Sequence, residues 1–184
     1  MTAASPPFVK FDWSAVDFHL PDTKGKVWSL AGLRGPKGLL LMFICNHCEY
    51  VQAVIGKLVK QGRELHDMGF GVAAICSNDA AAYPEDSYEK MGAFARQHHL
   101  PFPYLHDASQ SVARAYDAAC TPDFFGFNSE LRLQYRGRLD DSGRSPTPAA
   151  RPELLDAMRQ IAATGHGPRE QQQAIGCSIK WRAA

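Results

Sequence analysis

A chain of 184 residues has room for one full-sized core, and its 45% hydrophobic and 21% charged residues are ordinary for a globular protein. Twenty lysines and arginines against nineteen aspartates and glutamates leave a formal charge of +1, which gives no electrostatic reason to expect nucleic acid or membrane as a partner. No apolar run approaches the roughly 18 residues of a bilayer span, and the opening Met-Thr-Ala-Ala-Ser-Pro-Pro lacks the basic and apolar regions of a secretory signal, so a cytoplasmic protein is expected.

The first half of the chain alternates strand and helix. Residues 16–20 and 26–30 flank a turn at 22–25 and predict an N-terminal hairpin. Residues 39–44 are a short continuous apolar run, the pattern of a strand buried on both faces. From Cys48 to Asp67 the apolar residues Val51, Val54, Ile55, Leu58, Val59 and Leu65 recur at helical spacing, with Gly69 placed to end the helix. Residues 70–76 form the next strand, giving a right-handed strand–helix–strand unit, and Cys76 within it reads as a small buried thiol.

A second helical pattern covers 87–98, and a short strand at 102–105 is trimmed by Pro101 and Pro103. A short helix is expected over 109–119. Residues 124–127 and 131–135 surround Asn128-Ser129-Glu130 and predict a hairpin. Residues 142–149 read as a surface loop, and Pro152 opens a last helix that Gly165 closes. Residues 166–184 read as a tail docked on a single domain that spans 1–184. Parallel strands followed by an antiparallel hairpin imply an α/β fold with a mixed central sheet and helices on both faces.

Five cysteines are too few for a disulfide scaffold, and the number is odd. Two of them form Cys45-Asn46-His47-Cys48, placed where the buried strand ends and the helix begins. The first turn of a helix presents unpaired N–H groups and the positive end of the macrodipole, so a thiolate there is favoured and its pKa falls below the free value of about 8.5. Three residues span about one turn, so the second sulfur can close a disulfide with the first. Cys45 is therefore the expected nucleophile and Cys48 the resolving thiol. His47, with Asn46 beside it, is expected to tune the pair, a protonated imidazole favouring the thiolate; Glu49 opposes it, so the expected lowering at Cys45 is moderate. Half of a zinc site is the competing reading, but a structural site needs a second ligand pair. His19, His66, His98, His99, His106 and His166 show no metal-ligand spacing, so neither a metal nor a cofactor is expected.

Phe43-Ile44-Cys45-Asn46-His47-Cys48, Cys76-Ser77-Asn78-Asp79, Tyr83-Pro84-Glu85-Asp86, Phe102-Pro103-Tyr104-Leu105, Ala119-Cys120-Thr121-Pro122-Asp123-Phe124-Phe125, Tyr135-Arg136-Gly137-Arg138-Leu139-Asp140-Asp141 and the terminal Gly176-Cys177-Ser178-Ile179-Lys180-Trp181 follow one another along the chain. Together they resemble the bacterial thioredoxin-like redoxins of the alkyl hydroperoxide reductase/thiol-specific antioxidant (AhpC/TSA) group that carry a CxxC pair. The resemblance implies a thioredoxin fold with an N-terminal hairpin and an insertion after the first strand–helix–strand unit. It implies that Pro122 is a cis-proline and that Thr121 offers backbone groups to an extended substrate. Cys120 then lies beside the same loop, either as a third redox thiol, as a soft metal ligand or as a small buried residue, and Cys177 is expected to be docked or idle. One departure is Glu49, where members commonly have proline.

The same resemblance raises the question of peroxidase chemistry. Peroxiredoxins use Pro-x-x-x-Thr/Ser-x-x-Cys; ahead of Cys45 those positions hold Gly38 and Met42, ahead of Cys48 they hold Leu41 and Cys45, and ahead of Cys120 they hold Ala113 and Asp117. The expected activity is therefore thiol–disulfide exchange with protein or small-thiol substrates, with thiol peroxidase and a non-catalytic thiol or metal-binding module as alternatives. No motif specifies the electron donor, the direction of electron flow or the oligomeric state.

Overall fold

The structure is a computed structural model and describes residues 2–6, 10–142, 145 and 147–183. In chain order its elements are β1 (Ala3–Ala4), β2 (His19–Pro21), β3 (Val27–Ser29), α1 (Leu30–Leu33), β4 (Gly38–Phe43), α2 (Glu49–Asp67), β5 (Phe70–Cys76), a 3-10 turn (Pro84–Asp86), α3 (Tyr88–Gln97), β6 (Tyr104–His106), α4 (Ser111–Ala115), β7 (Cys120–Thr121), β8 (Asp123–Phe127), β9 (Leu133–Tyr135), α5 (Glu153–Thr164) and β10 (Gly176–Ser178).

The central sheet runs β6-β5-β4-β8-β9. β4, β5 and β6 are parallel, while β8 and β9 return antiparallel, so the sheet is mixed. β4 shows why its sequence is apolar throughout. Leu39, Leu41 and Phe43 enter one core with Leu33 of α1, Val112 and Ala113 of α4, and Phe125 of β8. Leu40 and Met42 enter the other with Val51, Ile55 and Leu58 of α2 and Leu154 and Met158 of α5. Alternation along a strand sends successive side chains to opposite faces, and both faces are covered by helices. This is the thioredoxin fold with the expected N-terminal hairpin, β2–β3, and an insertion holding the 3-10 turn and α3 between β5 and β6.

Several elements are shorter than their sequence patterns. α4 covers only Ser111–Ala115, because Gln110 and Asp117 on either side take left-handed backbone conformations, with φ of 63° and 52°. β6 begins after Pro103, which has no N–H for a ladder. β9 begins at Leu133: Asn128 Oδ1 accepts the N–H groups of Glu130 and Arg132, and Leu131 has a φ of 58°. The loop expected at 142–149 includes Gly143, Arg144 and Pro146, which lie outside the described residues.

The C-terminal segment returns to the core of the fold. β10 pairs antiparallel with β7, in the register Cys177↔Thr121 and Ser178↔Cys120, and on its other side with β1. The chain end is held further on by Lys180 N–H to Asn78 Oδ1 at 2.9 Å and by Gln110, whose amide donates to the Lys180 carbonyl and accepts from Arg182 N–H.

Candidate active site

The N–H of Ile44 donates to the Ile75 carbonyl, which carries the β4–β5 pairing one residue past β4 and brings Cys45 to the end of the sheet. Cys48 is the N-cap residue of α2, with extended backbone. Both sulfur-bearing residues are enclosed, Cys45 at 1% and Cys48 at 0% exposure, and all five cysteines are free thiols.

A buried carboxylate holds the loop between them. Asp86 Oδ1 accepts the N–H of Asn46 at 2.8 Å and that of His47 at 3.4 Å, and Asp86 Oδ2 accepts from Asn78 Nδ2 at 2.7 Å. His47 Nδ1 lies 2.6 Å from Asp86 Oδ2, with the imidazole stacked on Tyr83 at 5.7 Å between ring centres. Asn46 is clamped on three sides: its Oδ1 accepts from the Tyr104 hydroxyl, its Nδ2 donates to the Glu85 carbonyl, and its own carbonyl accepts from Gln52 Nε2. The Asn46 side chain therefore fixes the loop and does not face the sulfurs through any of these bonds.

Opposite the pair stands the loop with the cis Thr121–Pro122 bond. Thr121 Oγ1 lies 3.4 Å from Cys45 Sγ, and the Thr121 carbonyl accepts from Cys48 Sγ at 3.0 Å. The loop is anchored by an enclosed ion pair one residue on, where Arg136 Nη2 meets Asp123 Oδ2 at 3.0 Å. A third sulfur belongs to this group: Cys177 Sγ lies 2.9 Å from Cys48 Sγ.

The two sulfurs of the pair titrate as one unit. Their mutual hydrogen bond is the largest influence, holding Cys48 down to about 5 and pushing Cys45 far up. Burial raises both and the charge of Asp86 raises Cys45 further, while Cys177, Thr121 and the Val51 N–H help to lower Cys48. The two groups of Thr121 act in opposite senses: its carbonyl only accepts and so favours a proton on Cys48, whereas its hydroxyl can donate to a thiolate at either sulfur, so the contacts do not assign the remaining proton to Cys45 alone. The low value thus belongs to the pair, and a lowered pKa on Cys45 alone, as the sequence suggested, is not what the site shows. Burial, followed by the hydrogen bond and charge of Cys48, raises Cys177 to about 11.

The structure brings Cys45, Asn46, His47, Cys48, Thr121 and Pro122 together. Cys120 is also fully buried, but its Sγ lies 3.5 Å from the Pro122 carbonyl, and burial pushes its thiol up. Sequence reasoning missed Asp86, Asn78 and Tyr104 as parts of the site and expected Cys177 to be docked or idle; it is docked, against Cys48. The backbone edge of Thr121, expected to receive substrate, is paired with Cys177 of the chain's own β10. Cys45, His47 and Asp86 each bring one donor atom to within 4.8 Å of the others, a mix that suits zinc. Both Asp86 oxygens already accept hydrogen bonds, so a cation would compete with Asn46 and Asn78. A cleft of about 970 Å³, lined by Trp28, Arg34, Phe70, Arg96 and Phe102 among others, opens at the start of β5, away from the cysteines that follow the end of β4.

The model of the AhpC/TSA family matches residues 13–136. An uncharacterized conserved protein from Geobacillus kaustophilus is 40% identical, with a TM-score of 0.94 over 100% of this chain and 98% of that one. A hypothetical protein from Sinorhizobium meliloti is 39% identical, with a TM-score of 0.91 over 98% and 99%. The thioredoxin domain of a thiol-disulfide oxidoreductase from Bacteroides vulgatus shares the fold, with a TM-score of 0.65 over 84% of this chain and 99% of that one, at 14% identity. Curated proteins offer no match.

Proposed function

From the premise that the chain belongs to the AhpC/TSA family and has a thioredoxin-like redox function, we propose that it is a thiol–disulfide oxidoreductase working through Cys45 and Cys48. The observation that carries this reading is the position of the pair at the β4–α2 junction, with Thr121 in contact with both sulfurs. Cys45 attacks a substrate disulfide, forming a mixed disulfide and releasing one substrate thiolate. Cys48 then attacks Cys45 Sγ, the second substrate thiolate leaves, and the Cys45–Cys48 disulfide remains. The Thr121 hydroxyl stabilises the Cys45 thiolate, and the Asp86 carboxylate holds the loop in register by its two backbone hydrogen bonds. Enclosure of Cys45 at 1% exposure favours small disulfides over folded proteins as substrates.

Turnover of a small disulfide and of insulin with dithiothreitol as donor tests the proposal. Cys45→Ser abolishes both activities, and Cys48→Ser accumulates a mixed disulfide on Cys45. Undiminished turnover by Cys45→Ser overturns the reading.

A second reading rests on the Cys45, His47 and Asp86 donors, which give a thiol-based metal-binding module. Metal analysis of the purified protein separates the two, since a stoichiometric cation bound through Cys45 blocks the nucleophile.

A further inference from the structure

The C-terminal strand delivers a third thiol to the buried side of the redox pair. Cys177 Sγ and Cys48 Sγ are 2.9 Å apart, beyond the ~2.05 Å of a disulfide but in direct contact. The approach is fixed by the fold. β10 lies against β7 with Cys177 opposite Thr121. Gly176 makes that closeness possible, because a Cβ there would meet the Thr121 carbonyl oxygen at 2.1 Å. Beyond Cys177 the strand is tied by Lys180 to Asn78, the residue that also bonds Asp86. Cys48 therefore has a sulfur neighbour on each side, Cys45 along the chain and Cys177 across it, and Cys177 is itself only 3% exposed.

We propose that Cys177 is a third redox thiol, which takes over Cys48 from the Cys45–Cys48 disulfide. This deepens the redox reading of that pair and rests on it. The Cys177 thiolate attacks Cys48 Sγ, the Cys48–Cys177 bond forms, and the Cys45–Cys48 bond breaks with its electron pair leaving on Cys45. The proton given up by Cys177 is available to Cys45, so one thiol and one disulfide are present before and after, and no further oxidant is consumed. The product stores the two oxidising equivalents in a buried disulfide, returns Cys45 to its nucleophilic form, and fastens the C-terminal strand covalently to the start of α2.

The test is disulfide mapping of the full chain, oxidised with one equivalent of diamide, quenched in acid and digested with trypsin under non-reducing conditions. In the wild type, peptide 38–57 joined to peptide 170–180, with fragment ions placing the link on Cys48, is expected at about a tenth or more of the intrapeptide Cys45–Cys48 form, since neighbouring thiols of one site exchange readily. Cys45→Ser is expected to form the Cys48–Cys177 disulfide in full. Cys177→Ser and Cys177→Ala are expected to hold only Cys45–Cys48. Absence of the Cys48–Cys177 link in both the wild type and Cys45→Ser overturns the third-thiol proposal while leaving the pair intact. Failure of Cys45–Cys48 to form in the wild type and in both Cys177 variants overturns the underlying reading instead.

Discussion

Asp86 Oδ2 lies 2.6 Å from His47 Nδ1, with the carboxylate fully enclosed and the imidazole at the edge of the site, 17% exposed. The same carboxylate receives two N–H groups of the cysteine loop and the Asn78 amide, so it acts both as a scaffold and as a negative charge within 4.8 Å of Cys45 Sγ. That charge adds to the rise at Cys45 and at Cys76. Asp86→Asn keeps the shape and removes the charge. One of its polar atoms becomes a donor facing other donors, which costs about 1–3 kcal/mol of stability. The expected result is a lower urea midpoint together with a lower pH midpoint for alkylation of Cys45, followed by mass spectrometry. An unchanged alkylation midpoint would refute the electrostatic role.

The pair also makes a pH prediction with a definite sign. Its first proton is held down to about 5, against a free-thiol value of about 8.5. Unfolded thiols therefore bind more protons than the reduced native pair between those limits, and native stability rises with pH across that window. The contribution is fully present above about 9 and is lost as pH falls through about 5. Cys76, pushed up to about 12, and Cys177, raised to about 11, act the other way, so stability they support is lost above the ordinary thiol range. Urea midpoints of the reduced protein minus those of Cys48→Ser, measured from pH 4 to pH 9, should increase with pH. The reduction potential should change by about 30 mV per pH unit over the lower window, the slope of one proton per two electrons, where two would give about 59.

Much of this architecture was legible in the sequence. The apolar run of β4, the periodicity of α2 and the closing Gly165 each report a local rule, and their elements lie within a residue or two of the pattern. The strand–helix junction made Cys45 and Cys48 conspicuous for the same reason. Tyr83-Pro84-Glu85-Asp86 stood among the segments of the resemblance, but nothing in its spacing tied Asp86 to the cysteines, because only the folded insertion brings the carboxylate to the Asn46 and His47 N–H groups. Cys177 was invisible as a site residue because its partner is 129 positions away and its strand is three residues long. Such short strands carry no periodicity; only the pairing with β7 gives β10 its meaning.

The ion pair after the cis-proline loop predicts a large stability effect. Arg136 and Asp123 are 6% and 0% exposed, and Arg136 also lies 4.5 Å over the Phe125 ring and donates to the Asp117 carbonyl. Burial raises the Asp123 pKa, and Arg136 opposes that rise. Arg136→Leu leaves an enclosed carboxylate without its cation, and breaking a buried pair in this way costs about 3–5 kcal/mol. The expected loss is seen by urea denaturation. The double variant Arg136→Leu/Asp123→Asn should recover part of it, because the uncompensated charge is gone; no recovery would mean that packing on Phe125, not charge, sets the cost.

Two glycines separate close approach from empty space. At Gly176 the three atoms nearest to an added Cβ are all backbone atoms of the cis-proline loop, at 2.1 Å for the Thr121 oxygen, 2.6 Å for its carbon and 3.1 Å for Pro122 N. None of these can swing aside as a flexible side chain can, so Gly176→Ala has to push β10 away from β7. Overpacking of this kind costs about 1–3 kcal/mol. It should also expose the C-terminal segment, read as faster tryptic cleavage after Arg169 and Lys180 in the native protein. At Gly56, in the middle of α2, a Cβ meets nothing within 4 Å. There the only effect is helix propensity, and Gly56→Ala should stabilise the protein by about 0.8–1 kcal/mol with cleavage of the tail unchanged. Equal and opposite shifts in stability are not required; what matters is that tail cleavage responds to Gly176→Ala alone. If both variants left it unchanged, the close contact between β10 and the Thr121–Pro122 loop would not be what holds the C-terminal strand in place.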